Sequence, residues 1–395
     1  MTSTFQPSET GKQWRIAQYV VAVFLFWVSL YLYMPTLPVY IQLKTRDLAI
    51  VGTVLGMYGF WQMVVRIPLG VFSDWMNSQK PLILLGIFLS GLGAVIMARA
   101  GNFSGLIIGR TVTALSASFW VILIVAFSRL FPAKDAVRAT AILTLVNTLG
   151  RLVSSGLTGW LNDLGGYEFT FYIAAGVSIL ALLVMLPGKE QATTFLSPSF
   201  QTVKSLLVRP DVMVPSWLGV VSQHIVFGST YGFVPILAAH MGASNMALSL
   251  LMSMNLLIIT FGNLGVTRLL KRFPSSRIIF ISFIGLGVGL ALAGFAQSLL
   301  TLFIAQAIIG AANGINYPTL MGLSIEKVDF RERSTAMGIH QSIYAIGMFS
   351  GPWLSGLLAN KIGIGEMFIF TAAISLVISF LGVRLLSSIQ KQNSE

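Results

Sequence analysis

Three arginines stand inside long apolar stretches of this 395-residue chain, where their side chains could bind an anion. They are Arg66, Arg110 and Arg151, and no Asp or Glu lies well inside the same stretches. An arginine at the centre of a bilayer costs about 2.5 to 3.5 kcal/mol on insertion scales, so we expect each one to face a partner or a watery cavity. Without a carboxylate nearby, the guanidinium groups could attract an anionic substrate or the carboxylate of a zwitterion.

Each arginine also has a purely structural interpretation. Arg110 and Arg151 could donate hydrogen bonds to carbonyl groups of adjacent helices. Arg66 lies about one helical turn before Gly70, near the predicted end of its apolar stretch, so it could extend to the membrane surface. The sequence leaves both interpretations open.

Neutral polar residues at helical spacing complete the candidate substrate site. Asn147 precedes Arg151 by one turn, and Gln62 and Tyr58 precede Arg66 by one and two turns, which places each set on one side of a helix. The candidates in the second half of the chain are Gln223, His224, Asn313, Asn316, His340 and Tyr344. The two histidines could carry protons because histidine titrates near neutral pH, although a lone membrane histidine is more often a packing residue.

The composition excludes several other kinds of chemistry. The chain has no cysteine, and its three histidines do not have the spacing of a zinc site, so we expect no metal and no cofactor. We find no convergent Ser, His and Asp set, which argues against an enzyme. The pI of about 10.1 does not indicate a nucleic-acid binder, because the basic residues stand singly between apolar runs.

The hydropathy of the chain predicts an all-α membrane protein. Hydrophobic residues make up 55% of the sequence and charged residues only 10%. A bilayer core of about 30 Å is crossed by about 20 apolar residues in a helix. Twelve such runs are predicted, at residues 17–40, 48–70, 81–100, 104–128, 139–161, 167–187, 213–238, 246–267, 277–296, 299–323, 335–358 and 364–386.

The distribution of basic residues predicts how these spans are oriented. Most of the 25 Lys and Arg residues fall in the two tails and in the loops on the side of the termini. The loops on the other side contain only Lys44, Arg46, Arg99 and Lys361. Since cytoplasmic loops are enriched in basic residues, we expect a multi-pass protein of the cell membrane, plasma or inner, with both termini in the cytoplasm.

A polar interval near the middle divides the spans into two sets of six. We predict an N-terminal bundle at residues 1–190, a cytoplasmic linker at 191–212 and a C-terminal bundle at 213–395. Residues of similar type recur at a nearly constant distance in the two sets: Gly150 corresponds to Gly347, and Arg110 to Gln306. Duplicated halves imply transport by alternating access around the interface between them.

Two segments and one arginine resemble signatures of the major facilitator superfamily. The segment GVFSDWMNSQK contains Gly70, Asp74 and Lys80 and resembles that family's signature after the second helix. The segment GMFSGPWLSG contains Gly347, Gly351 and Pro352 and resembles the Gly-Pro pattern of drug and metabolite antiporters. Arg110 is similar to the arginine of the family's signature in the fourth helix. The resemblance covers the whole chain.

This resemblance implies two pseudo-symmetric six-helix bundles and secondary active transport. The leading hypothesis is export of a small organic solute by alternating access, with protons as a candidate coupling ion. The alternative is an uptake or exchange carrier for organic anions that uses the membrane arginines. We expect the two motifs to act in gating, with Asp74 as a latch that breaks when the halves rock. The expected partners are the solute and the lipid bilayer, and the expected state is a monomer.

Overall fold

The computed structural model describes residues 9–76, 78–132, 135–187, 200–329 and 332–392. The helices of the first half are α1 Glu9–Tyr31, α2 Leu37–Lys44, α3 Leu48–Trp75, α4 Lys80–Ala98, α5 Phe103–Ser118, α6 Trp120–Ser128 and α7 Ala136–Met185. Those of the second half are α8 Phe200–Leu207, α9 Pro210–Gly228, α10 Val234–His240, α11 Asn245–Leu270, α12 Ser275–Gly294, α13 Leu299–Glu326, α14 Arg333–Ile362 and α15 Ile364–Gln392. The end of the bundle near Glu9 and Gln392 is the terminal end, and the other is the opposite end.

The predicted all-α fold with twelve spans is confirmed, but several spans consist of more than one helix. The first span is α1 and α2 joined by a turn, and the fourth is α5 and α6, which meet at Phe119. The seventh is α9 and α10 joined by a π-helical turn at Ser229–Phe233. Breaks of this kind occur within membranes where protein buries the freed backbone groups.

The fifth and sixth spans are two helices that meet at Gly166 without a loop between them, and they are numbered together as α7. Its 50 residues would extend for about 75 Å if straight, which is more than twice the hydrocarbon thickness. The chain reverses at Gly166, whose φ of 82° and ψ of 178° lie in a region that side chains other than glycine rarely adopt. A single glycine therefore replaces the predicted loop.

The predicted linker contains a short helix that the sequence did not indicate. Residues 188–199 lie outside the described residues. The helix α8 follows them, and its Leu206 packs in an apolar cluster with Val212, Val328 and Ile339. The C-terminal bundle begins with α9 at Pro210, slightly before the predicted boundary. The division at 1–190, 191–212 and 213–395 stays a prediction.

The two halves repeat the same close helix packing. A Cβ atom added to Gly150 of α7 would lie 2.9 Å from the carbonyl oxygen of Phe24 in α1. A Cβ added to Gly347 of α14 would lie 2.1 Å from the carbonyl oxygen of Val220 in α9. Gly347 follows Gly150 by 197 residues, and Val220 follows Phe24 by 196 residues. Small residues that let backbones approach thus hold equivalent positions, as expected for duplicated bundles.

Two helix pairs join the halves, and both are tightly packed at the opposite end. In the pair α3 and α14, a Cβ on Gly52 would lie 2.2 Å from the carbonyl oxygen of Pro352. In the pair α7 and α11, the amide of Gly159 donates to Ser249 Oγ at 2.6 Å. Toward the terminal end α11 becomes exposed, with Leu264 70% accessible. The halves are therefore in close contact at the opposite end.

Candidate functional site

Arg110 lies in the centre of the first half, on α5, with 2% of its surface accessible. Its Cζ is 4.3 Å from the centroid of the Tyr58 ring, which is a cation–π distance. Its Nη1 donates to the sulfur of Met34 at 3.5 Å, and its buried Nε has no hydrogen-bond partner. A thioether is a weak acceptor, so the charge of Arg110 is poorly compensated by the protein.

Arg151 lies on α7 and reaches across to the second half. Its Nη2 donates to the hydroxyl of Tyr231 at 2.6 Å, and its Cζ is 4.4 Å from the centroid of the Tyr31 ring. Its Nε is also buried without a hydrogen-bond partner. Tyr231 belongs to the π-helical turn and has 5% of its surface accessible.

Arg66 lies on α3 and is directed at α14 rather than at the end of its own helix. Its Nη1 donates to the hydroxyl of Tyr344 at 3.4 Å and to the carbonyl oxygen of Gln341 at 3.3 Å. Its Nη2 donates to Gln62 Oε1, and Gln62 in turn donates to the carbonyl oxygen of Tyr58 at 3.0 Å. Arg66, Gln62 and Tyr344 therefore form another polar contact between the halves.

The three arginines are connected to Tyr58 by different contacts. Arg110 lies over its ring, and Arg66 binds Gln62, which donates to the Tyr58 carbonyl oxygen. Arg151 binds Tyr231, whose ring packs against Phe227. The ring of Tyr58 stacks on Phe227 of the second half, with centroids 6.3 Å apart. In the described part of the chain, the ion pairs are Lys44 with Glu168 and Arg209 with Asp211, near the ends of the bundle. The central arginines thus have aromatic rings and neutral oxygens around them rather than carboxylates.

The predicted histidines of the second half form hydrogen bonds within that half. His224 Nδ1 lies 3.0 Å from Ser350 Oγ, and His340 Nδ1 lies 3.0 Å from Ser216 Oγ. In both cases the bond joins α9 to α14, and the role of these histidines stays a prediction. His340 is also fully buried, at 1% accessibility.

The predicted amides differ in their surroundings. Asn316 Nδ2 donates to Ser282 Oγ at 2.8 Å, and Asn313 Oδ1 accepts from Ser222 at 3.5 Å, so both bind within the second half. Gln223 is buried on α9. Asn147 Oδ1 on α7 is buried without a hydrogen-bond partner, one turn from Arg151. The Oδ1 of Asn316 also has no partner, but Asn147 is the one of these two that lies next to an arginine in its helix.

The residues of the two signature segments lie in different parts of the structure. Gly347 and Gly351 pack α14 against the backbone of α9, inside the second half, whereas the carbonyl oxygen of Pro352 faces Gly52 across the interface. At the terminal end, α3 continues through Trp75, so Asp74, which the sequence placed beyond the helix, is inside its last turn.

The remaining signature residues lie near that end of α3. Gly70 has open space where a Cβ would lie. Lys80 Nζ donates to the carbonyl oxygen of Leu186 at the end of α7. The side chain of Asp74 lies outside the described residues, so its role as a latch stays a prediction.

Sequence reasoning missed two tyrosines and a row of glycines. Tyr31 and Tyr231 contact Arg151 directly, but nothing distinguishes them in sequence from the other tyrosines of the chain. Gly52, Gly56 and Gly59 line the side of α3 that contacts α14. Their spacing of four and three residues in a membrane helix was a detectable signal of a close helix contact.

Comparisons with known proteins agree with this architecture. A family model described as Major Facilitator Superfamily matches residues 19–237 and 216–395. An uncharacterized MFS-type transporter of Methanocaldococcus jannaschii is 22% identical over 376 residues, which are 91% of this chain and 96% of that protein. The quinolone resistance protein NorA of Staphylococcus aureus is 23% identical over 180 residues, 44% of this chain and 45% of that protein.

Solved structures share the fold. A bacterial homolog to the human lysosomal transporter Spinster, in an inward-facing and unoccupied conformation, has a TM-score of 0.80 to this chain at 15% identity. The match covers 96% of this chain and 98% of that one. At this identity the similarity concerns the arrangement of helices and leaves substrate preference to the residues of the site.

Proposed function

This chain belongs to the major facilitator superfamily and is a multi-pass membrane transporter, not an enzyme, and we propose that it exports a small organic solute that carries a negative charge. The solute would bind between the halves, against Arg66, Arg110, Arg151 and Tyr58. Rocking of the two bundles would then expose this site to each side of the membrane in turn.

The observation that supports this proposal is that Arg66, Arg110 and Arg151 contact tyrosines and neutral oxygens between the halves, and none of them forms an ion pair with a carboxylate in the described residues. Charges of one sign in a low-dielectric interior repel one another, and each is costly to bury unpaired. An anionic group would lower this cost by accepting charge-assisted hydrogen bonds from the free Nε atoms. The rings of Tyr31, Tyr58 and Phe227 favour a substrate with an apolar or aromatic part.

Export is the direction we propose, with both termini in the cytoplasm. The support for export is similarity to NorA, whose name describes resistance to quinolones, over less than half of each chain. The support for the orientation is the excess of Lys and Arg at the terminal end. Uptake or exchange of an organic anion is the second candidate, because the arginine cluster serves either direction equally well.

Coupling to protons is a further part of the proposal, and His224 and His340 are its candidate carriers. Both bind serine hydroxyls between α9 and α14, and neither lies among the contacts of the three arginines. We therefore expect substrate binding to depend on the arginines and any proton dependence of the rate to depend on the histidines.

The test is a substrate screen in proteoliposomes with an imposed pH gradient. Labelled benzoate represents organic anions, and tetraphenylphosphonium represents lipophilic cations. We expect protein-dependent movement of benzoate that is lost in Arg151→Gln. Movement of the cation alone would overturn the proposed charge of the substrate, and an unchanged benzoate rate in Arg151→Gln would overturn the proposed site.

A further inference from the structure

The contact between Arg151 and Tyr231 joins the two halves at the level of the arginine cluster. The donor is a guanidinium of α7 in the first half, and the acceptor is a neutral phenol of the second half, at 2.6 Å. The phenol ring also lies edge-on to Tyr31, with centroids 6.4 Å apart, and next to Phe227 at 4.9 Å. The Tyr231 hydroxyl therefore occupies a site on Arg151 that an anion could take.

The backbone around Tyr231 is unusual for a local reason. Pro235 has no N–H group, so the carbonyl of Tyr231 lacks its ordinary α-helical donor four residues later. The turn widens instead, and the amide of Val234 donates to the carbonyl oxygen of Ser229, five residues earlier. Such π-helical turns are frequent at functional sites. Here the widened turn carries the tyrosine that contacts the first half.

The pair is not a requirement of the duplicated fold. At the same offset of 196 to 197 residues that relates the packing glycines, Met348 corresponds to Arg151 and Pro35 to Tyr231. Packing residues recur in both halves, whereas this hydrogen bond has no counterpart. Its presence therefore needs an explanation from the site rather than from helix packing.

We propose that the Tyr231 hydroxyl is a stand-in for the anionic group of the substrate on Arg151, and that a substrate carboxylate replaces it. This inference rests on the proposed anion site. A carboxylate forms charge-assisted and bidentate hydrogen bonds with a guanidinium, which are stronger than a bond to a neutral phenol. Replacement also breaks a contact between the halves, so binding and the release of one half from the other become a single event.

Binding to purified protein tests the replacement directly. The probe is benzoate, with benzamide as its uncharged isostere, and the readout is the dissociation constant from ligand-induced thermal stabilisation. Tyr231→Phe removes the competing hydroxyl but keeps the ring, so we expect benzoate to bind about tenfold more tightly. The same change in an Arg151→Gln background should not restore benzoate binding, and benzamide should not respond in any variant.

Tyr40→Phe is the matched control. Tyr40 is another buried tyrosine, and its hydroxyl donates to the carbonyl oxygen of Met97 at 3.0 Å, away from the arginines. This variant should lose some stability without any change in benzoate affinity. Equal or weaker benzoate binding in Tyr231→Phe, with binding still dependent on Arg151, would overturn the replacement alone. Absence of benzoate binding to the wild type and to Tyr231→Phe would overturn the anion site and the replacement together.

Discussion

Arg110 and its repeat partner Gln306 show how one position is used differently in the two halves. Gln306 binds within its own half, where its Oε1 accepts from Thr230 at 2.8 Å and from Asn255 at 3.1 Å. Arg110 has the ring of Tyr58 and the sulfur of Met34. The second half thus has a neutral network at the position where the first half has a buried charge, and we propose that this charge binds the substrate.

Arg110→Gln tests the role of this charge with a residue that the fold already accepts at the equivalent position. We expect a folded protein whose benzoate transport is at least about tenfold slower, because a hydrogen bond to a charged group contributes about 1.5 to 3 kcal/mol. Initial rates in proteoliposomes provide the measurement. Arg99→Gln, at an exposed position of the opposite end, is the control and should transport at the wild-type rate.

At this scale the sequence predicted the charges but not their surroundings. Arg66, Arg110 and Arg151 are conspicuous in the sequence because a charge in an apolar stretch costs free energy on whichever side of the helix it lies. Tyr31 and Tyr231 do not stand out, because tyrosine is common in membrane helices and its partner depends on how two distant helices meet. The predicted histidines were distinctive by type, and the structure places them against serines.

Helix α3 carries the contact between the halves through its glycine row. At Gly52, an added Cβ would meet backbone atoms of Pro352 and Gly356, which cannot move aside as a flexible side chain would. We expect Gly52→Ala to force the opposite end apart and to bring the terminal ends of α7 and α11 together. Overpacking of this kind costs about 1 to 3 kcal/mol, enough to reverse a balanced two-state equilibrium.

Spin labels can measure this shift without removing native thiols, because the chain has no cysteine. Labels at Arg138→Cys and Arg268→Cys report the distance between the terminal ends of α7 and α11. The distance should shorten in Gly52→Ala and stay at the wild-type value in Gly176→Ala, where an added Cβ meets open space. An unchanged distance in folded Gly52→Ala would show that α3 does not control the opening.

Gly347→Ala should not change the distance between the labels, although its added Cβ would lie as close to backbone atoms as that of Gly52→Ala. Its Cβ would meet Val220 and His224 of α9, which move together with α14 as parts of one bundle. We expect a lower melting temperature and an unchanged label distance. A shortened distance at wild-type stability would instead favour the gating role that the resemblance implies for this motif.

Elements were predicted well where hydropathy defines them and less well where a span is interrupted. The twelve spans follow from apolar runs of sufficient length. The breaks at Phe119 and at the π-helical turn are not visible in hydropathy, because the residues there remain apolar or small. The break between the fifth and sixth spans was predicted, because Asn162, Asp163 and Glu168 flank Gly166, but the predicted loop is replaced by one residue.

For the whole molecule, the orientation in the membrane is the prediction that depends most on sequence. Single cysteines at Gly101, on the opposite end, and at Arg138, on the terminal end, can be labelled in intact cells with a membrane-impermeant maleimide. We expect Gly101→Cys to react from outside and Arg138→Cys to react only after permeabilisation, because basic loops stay in the cytoplasm. The reverse pattern would place both termini outside.

The measurement closest to the central claim is counterflow of labelled benzoate into proteoliposomes preloaded with unlabelled benzoate. It requires neither a known coupling ion nor a known direction, because exchange of substrate drives the signal. The wild-type protein should give a transient, saturable accumulation of label that is inhibited by other organic anions and absent in Arg151→Gln. Accumulation of tetraphenylphosphonium but not of benzoate under the same conditions would contradict an anion site built from Arg66, Arg110 and Arg151.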